Sequence, residues 1–354
     1  MDKHMQVIVP AAGLSSRFPG TKPKYLLYSY DHRMMIRDAV EPFIGQYNIT
    51  VGILKQHNEL YNAEVFLRNE IPNVNLVILD EPTSGPAETV FRIIEKAQLD
   101  HTNSVFIKDC DSFFNFEMDA ITTKENFICT SRISDHSKLH NLSAKSFVRI
   151  NEHGFVLDIA EKNVISDTFC VGGYKFESIK TFCAAFRSLG HHSRENPKEL
   201  FVSDVIEYML ESGYIFHNTP VTEYFDVGTL EAWNEYNDVP VIFCDIDGTL
   251  IEAQGRYGPN NYYDTPKPIE GNYKELLRLQ EKGVMIIFTT SREKKYMEVT
   301  KEMLHSLGFE DFTLLCGLFA SKRILINDYN EANPYPRALA INIRRNSDTL
   351  KDLL

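Results

Sequence analysis

The 354-residue chain carries 37 Lys and Arg against 49 Asp and Glu, a formal net charge of −12, with 43% hydrophobic and 12% aromatic residues. Such a composition excludes disorder, and an acidic balance without a basic cluster argues against a nucleic-acid partner while leaving small anionic substrates open. The length predicts two domains at about 100 to 200 residues each. No apolar run approaches the roughly 20 residues that span a membrane, so no membrane insertion is expected.

MDKHMQVIVPAAG lacks the apolar core and small-residue cleavage site of a signal peptide, which predicts a cytoplasmic protein. The six cysteines (Cys110, Cys129, Cys170, Cys183, Cys244 and Cys316) form no C-x-x-C pair and read as reduced core residues. In the first part of the chain, short apolar runs alternate with amphipathic ones: QVIVP, MMIRDAVEPFI, NITVGIL, NELYNAEVFLRNEI, VNLVILD, GPAETVFRIIEKAQ and SVFIKDCD. This alternation predicts βαβ units and a mostly parallel sheet. From about residue 126, FICTSRI, SFVRI, FVLDIAEK and FCVGGYKF follow closely with turn signals between them, predicting an antiparallel patch. Helical patterns at SIKTFCAAFRSLG and LFVSDVIEYMLESG lead to YIFHNTPVTEYFDVG and TLEAWNEYN.

A second alternation starts near Pro240: VIFCDID, PIEGNYKELLRLQEKG, VMIIFTT, REKKYMEVTKEMLHSLG, then three predicted strands at FTLLCG, RILIND and ALAINI. Two domains are therefore expected, 1–238 and 239–354. No low-complexity linker separates them.

Within VIVPAAGLSSRFPGTKPKYLL (residues 7–27), a strand ends in a turn of small residues, Ala11, Ala12 and Gly13, followed by Ser15, Arg17 and Lys24. Small residues let backbone N–H groups approach phosphate oxygens, and cations neutralise them; an ordinary βα turn with exposed basic residues is the competing reading. The pattern resembles the signature of the GT-A-like sugar-phosphate nucleotidyltransferases, and later segments continue the likeness in order. EPTSGPAETV resembles the base-recognising Gly-rich turn (Gly85, Pro86, Ala87, Glu88), FIKDCD the strand ending in a metal-binding aspartate, and IAEK the Glu161–Lys162 pair that holds the sugar phosphate. VGGYKF resembles the sugar-facing strand with Gly173 and Lys175, and YFDVGTLEAW the second metal aspartate, Asp226. The resemblance implies a GT-A-like Rossmannoid domain in which Arg17 and Lys24 hold the triphosphate and Asp111 and Asp226 hold Mg²⁺. Lys162 beside Glu161 would hold the acceptor phosphate. Asp111 is favoured over Asp109 as the ligand, and Leu14 stands where many members have a second glycine.

FCDIDGTL resembles motif I of the haloacid dehalogenase-like phosphotransferases, D-x-D-G-T, and implies a small three-layer α/β/α Rossmannoid domain. Asp245, at a strand end, would attack phosphorus to give an aspartyl phosphate, and Asp247 would protonate the leaving alcohol. Thr290 fits the motif II hydroxyl, Lys322, chosen over Arg323, the motif III cation, and Asp328 the motif IV ligand, with Asn327 where a second acid is commoner; Asp245, Asp328 and a backbone carbonyl, with Asp247 among the metal residues, would hold Mg²⁺. The insert IEAQGRYGPNNYYDTPKPIEGN is too short for a large cap and reads as a flap whose Tyr257, Tyr262 and Tyr263 pack on the domain. His191–His192 reads as an exposed polar turn, since no other His or Cys stands at ligand spacing, and Trp233 as packing.

Together the resemblances imply a bifunctional enzyme. One centre would transfer a nucleotidyl group from an NTP to a sugar or polyol phosphate with release of pyrophosphate. The other would hydrolyse a phosphate monoester, the pair supplying a precursor for a capsule or other surface glycan. An active phosphatase carrying a nucleotide- or sugar-binding regulatory domain, or an N-terminal scaffold, is the alternative. Neither the base, the acceptor nor the oligomeric state, a homo-oligomer included, is readable from these motifs.

Overall fold

The computed structural model describes residues 5–116, 125–136, 139, 142–192, 199–255, 266–327 and 338–353. The side chains of His191 and His192, together with Tyr257, Tyr262, Tyr263 and Asp328, lie outside the described residues. The chain divides into two compact units, Met1–Asp238 and Val239–Leu354.

In the first unit, β1 (Gln6–Pro10), α1 (Met35–Val40), β2 (Asn48–Leu54), α2 (Lys55–Tyr61), α3 (Ala63–Glu70), β3 (Asn75–Leu79), α4 (Pro86–Ala97) and β4 (Val105–Lys108) give the alternating half. After them come β5 (Ser112–Asn115), β6 (Asn126–Arg132), β7 (Ser146–Ile150), β8 (Val156–Glu161), β9 (Thr168–Phe176), α5 (Ile179–His192), α6 (Val202–Glu211), β10 (Phe216–Pro220), β11 (Thr222–Asp226) and α7 (Leu230–Tyr236). Among the described residues the main sheet runs β10-β6-β9-β4-β1-β2-β3, with β7 paired to β9 and β8 to β7. β1, β2, β3 and β4 pair in parallel, whereas β9 is antiparallel to β4 and β6. Period-two alternation assigns side chains to opposite faces. Ile8, Val105 and Ile107 pack under α4, α5 and α6 with Val90, Ile93, Phe182 and Val205, while Val7, Val9 and Phe106 join Phe43, Ile53 and Leu67 on the other face.

The second unit holds β12 (Ile242–Asp245), α8 (Glu270–Glu281), β13 (Ile286–Thr289), α9 (Met297–Ser306) and β14 (Phe312–Leu315). Its sheet is parallel in the order β12-β13-β14, over a core of Ile246, Leu276, Phe288, Leu304 and Phe309. Of the three strands expected after α9, only β14 forms. The described residues of RILIND and ALAINI have no ladder partners, and Ile324, Ile326 and Leu339 are 75%, 90% and 79% exposed. An apolar run alone does not place a strand; it needs an edge to pair with, and Ile324, Ile326 and Leu339 stay exposed here. All six cysteines are buried and unpaired.

Candidate active sites

Asp111 immediately precedes β5, and Asp226 ends β11. The two strands are antiparallel with Asp226 opposite Ser112, so register alone brings the two carboxylates to one place. Val227 N–H donates to Asp111 O (3.0 Å), and Gly228 N–H donates to Asp226 Oδ1 (3.0 Å). A Cβ placed on Gly228 would lie 2.8 Å from Asp111 Oδ2 and 3.1 Å from Asp226 Oδ1. Two carboxylate oxygens therefore flank a space that only glycine leaves open. Mg²⁺ is held by one or two carboxylates plus substrate phosphates, which matches this donor set. Among the described residues no group of three or more His, Cys, Asp or Glu side chains stands at metal-holding distance.

Each of these carboxylates meets a lysine. Lys24, carried on a short 3₁₀ turn entered through Pro23, pairs with Asp111 Oδ2, and its N–H takes a hydrogen bond to Ser15 Oγ (3.1 Å). Lys145 Nζ lies 2.6 Å from Asp226 Oδ2 and 2.7 Å from the Tyr224 hydroxyl. Burial would raise the Asp111 carboxyl, but Lys24 and then Arg17 hold it well below the usual range. Burial would likewise lower the Lys24 ammonium, yet Asp111 keeps it above its ordinary value. Asp109 is pushed the other way, up to about 6, by burial and by the Asp111 charge. Its backbone N–H donates to Gly172 O (2.9 Å), and its carboxylate fills the space where a Cβ on Gly172 would stand.

Beside this centre, Glu161 Oε2 accepts from the hydroxyls of Ser146 and Ser203, the latter at 2.6 Å. Lys162, at φ 55°, donates its N–H to Lys145 O (3.1 Å), and its ammonium sits 4.0 Å over the Phe201 ring and 3.6 Å from Glu199. The GPAE turn joins the same segment: Ala87 N–H donates to Leu200 O (3.1 Å), and a Cβ on Gly85 would stand 2.7 Å from Leu200 N. Residues 199–203 thus tie the Gly-rich turn to the Glu161–Lys162 pair.

Several expected contacts take other roles. Ala11 is buried and gives its N–H to Gly52 O (2.9 Å), so any phosphate cradle starts at Ala12 and Gly13. Glu88 accepts from Ser84 N and Oγ (2.8 and 2.7 Å) and pairs with Arg92, closing the first turn of α4 behind Pro86. Lys175 does not face a sugar; it is fully buried and donates to Glu125 O (3.1 Å). Gly173 is a packing position, with Phe114 Cζ 2.7 Å and Cys129 Sγ 3.0 Å from where a Cβ would sit. On the nine-residue strand β9 every residue is buried. Trp233 is buried and stacks on Tyr236.

Lys145, Ser146 and Ser203 belong to none of the motifs, and Lys108, within FIKDCD, carries no motif role; their contacts emerge only from the fold. Lys108 is buried, its ammonium bonded to Ser112 O and Oγ and Asp109 O (2.6 to 2.8 Å) and lowered to about 8 by burial. It pins the turn that carries Asp111.

In the second unit, Asp245 ends β12 opposite Thr289, at the carboxyl edge of a parallel sheet. Burial and then Asp247 raise its carboxyl, opposed by Arg323 and Arg345. Thr290 is buried and donates to Asp247 Oδ2 (3.3 Å). Asp247 itself is clamped. Arg292, its side chain 1% exposed, donates from Nε to Oδ2 (3.0 Å) and from Nη2 to Oδ1 (2.7 Å). Asp247 thus stands in a bidentate ion pair with Arg292, with the Thr290 hydroxyl as a further donor. Lys322 is exposed, and the cation of its segment whose field reaches Asp245 is Arg323, whose guanidinium also donates to Phe319 O and Ser321 O. Asp245 fits a metal site as one carboxylate, and Asp247, like Asp226 in the first unit, has both oxygens hydrogen-bonded.

No protein-family profile matches the chain, and no curated protein is similar to it. Solved structures are. A nucleoside-diphosphate-sugar pyrophosphorylase from Vibrio cholerae aligns over 65% of this chain and 98% of its own at 21% identity, with a TM-score of 0.54. An inositol-1-phosphate CTP transferase from T. maritima aligns over 67% of this chain and 98% of its own at 15% identity, with a TM-score of 0.52. At these identities the likeness establishes the fold alone: a mixed α/β domain with a central sheet, shared with those two proteins. No helix among the described residues is long and apolar enough to cross a membrane.

Proposed function

We propose that the first unit, residues 1–238, is an Mg²⁺-dependent nucleotidyltransferase that joins an NTP to a sugar or polyol phosphate and releases pyrophosphate. The observation that carries this reading is the shared space between Asp111 Oδ2 and Asp226 Oδ1, with Lys24 and Arg17 beside it. An acceptor phosphate oxygen attacks the α-phosphorus of the NTP, and the bond from that phosphorus to the pyrophosphate oxygen breaks. No covalent enzyme intermediate is needed, so alignment and charge neutralisation supply the rate. Arg17 and Lys24 hold the triphosphate, Asp111 and Asp226 hold the Mg²⁺ that neutralises it, and Lys162 holds the acceptor phosphate. The likeness to two nucleotidyltransferase folds supports the assignment.

The second unit, residues 239–354, is read as a phosphate monoester hydrolase in which Asp245 becomes transiently phosphorylated. Its place in the same chain supports a shared pathway in the cytoplasm, one that makes a nucleotide-activated precursor for a capsule or surface glycan. The Arg292 clamp on Asp247 favours a second reading for this unit, a phosphate-binding domain without turnover.

Pyrophosphate release from CTP, UTP, GTP, ATP and dTTP, with Mg²⁺ and a panel of sugar and polyol phosphates, tests the transferase in an Asp245→Asn background that spares the acceptors. Release with one pair establishes it. Silence across the panel in protein that still binds nucleotide overturns it in favour of a binding-only domain. Hydrolysis of p-nitrophenyl phosphate by the wild type but not by Asp245→Asn separates the two readings of the second unit.

A further inference from the structure

The two lysine–carboxylate pairs of the first unit are not equivalent. Lys24 takes Asp111 Oδ2, the same oxygen that borders the space beside Gly228. Lys145 takes Asp226 Oδ2, while the other oxygen of Asp226, Oδ1, borders that space and is fixed by Gly228 N–H. One ammonium therefore sits on the inward oxygen of its aspartate and the other on the outward oxygen.

Their settings differ in the same sense. The Lys145 side chain is 9% exposed, its ammonium is bonded to the Tyr224 hydroxyl, and it lies 5.3 and 5.1 Å from the Phe169 and Tyr224 ring centroids. Its backbone carbonyl accepts from Lys162, and the next residue, Ser146, bonds Glu161. The Lys24 side chain is twice as exposed, at 18%, and its ammonium pairs with Asp111.

We infer that Lys145 is a positioning residue that holds Asp226 with Oδ1 turned inward, and that Lys24 is a displaceable countercation standing where the divalent ion binds. This inference rests on the reading of Asp111 and Asp226 as the metal carboxylates. An outward partner fixes a ligand's orientation and strengthens metal binding, and its removal typically weakens affinity about 10- to 100-fold. An inward ammonium competes with the ion, so its removal acts in the opposite direction. Before loading, Lys24 screens the repulsion between the two carboxylates; after loading, its ammonium is free for the triphosphate. The same lysine would thus serve both states, and Lys145 would serve through Asp226 alone.

Calorimetric titration of Mn²⁺ into the nucleotide-free full-length protein tests this without any turnover. The site is defined as the Mn²⁺ binding lost in Asp111→Asn. Lys145→Met is expected to weaken that binding about tenfold, Lys145→Arg to keep it within about threefold, and Lys24→Met to tighten it severalfold. Lys145→Gln, which retains an N–H donor without the charge, supplies the same reading if the methionine variant does not fold. Equal shifts in the two lysine variants, or tighter binding in Lys145→Met, overturn the inference. If Asp111→Asn removes no Mn²⁺ binding at all, the underlying metal reading fails instead.

Discussion

Asp111 Oδ2 and Asp226 Oδ1 stand 2.8 and 3.1 Å from the position a side chain on Gly228 would take. The gap is held open by the absence of one methyl group. Gly228→Ala is expected to push both carboxylates aside and cut pyrophosphate release at least about 100-fold, because misplacing aligned groups by about 1 Å is enough for that loss. The contacts displaced are side-chain ends, so the melting temperature should hold within a few degrees. A variant with full activity would remove this space from the proposed site.

Gly85 meets backbone and not side chain. A Cβ there would stand 2.7 Å from Leu200 N, and neither partner is the end of a flexible group. Gly85→Ala should therefore displace residues 199–203, loosening Phe201 from Lys162 and Ser203 from Glu161. Strain of this kind costs about 1 to 3 kcal/mol. The expected kinetic mark is a raised KM for the acceptor phosphate with a smaller change for the nucleotide. An equal rise in both would detach the Gly-rich turn from the acceptor side.

These two sites differ in how far the sequence disclosed them. Asp111, Asp226, Lys24 and Arg17 stand at strand ends and turns, where motif and chain order suffice to nominate them, and the β5–β11 pairing then brings the two aspartates together. Lys145, Ser203 and Arg292 left no such trace. Each reaches its partner across long sequence separations, 81 residues for Lys145–Asp226, 42 for Ser203–Glu161 and 45 for Arg292–Asp247, so only tertiary pairing reveals it. Lys175 and Gly173 failed for the opposite reason. They were nominated by the likeness of VGGYKF to a sugar-facing strand, but β9 lies between β4 and β6 and is covered throughout. The alternating half of the fold was legible because period-two and helical patterns are local; RILIND was not, because an edge partner is not.

The Arg292–Asp247 clamp makes the two aspartates of the second unit unequal in stability. Removing Asp247 leaves a guanidinium 1% exposed with its carboxylate gone, a loss of about 3 kcal/mol or more. Asp247→Ala should lower the melting temperature of this unit by about 10 degrees or more, whereas Asp245→Asn should leave it within about two degrees while ending any hydrolysis. Equal melting temperatures for the two variants would show that the clamp does not hold in solution.

Asp38 on α1 supplies a pH signature. Burial raises its carboxyl to about 6, against the opposing pull of Arg33 and Arg37; Asp31 adds to the rise, and a Ser29 hydrogen bond opposes it. The folded value lies above the unfolded one, near 3.9. Between about pH 4 and 6 the native chain therefore binds more protons than the unfolded chain, and this group's contribution to stability falls as pH rises. The contribution is fully present below pH 4 and lost above 6. Allowing for solvent screening around a partly covered cluster, it amounts to about 1 to 2 kcal/mol. Asp38→Asn cannot titrate, so its melting temperature relative to the wild type should improve by a few degrees between pH 4 and pH 7, whatever the absolute offset from losing the Arg33 pair. A difference that stays constant across that range would mean Asp38 is ionised at its ordinary pKa, with Arg33 outweighing its burial.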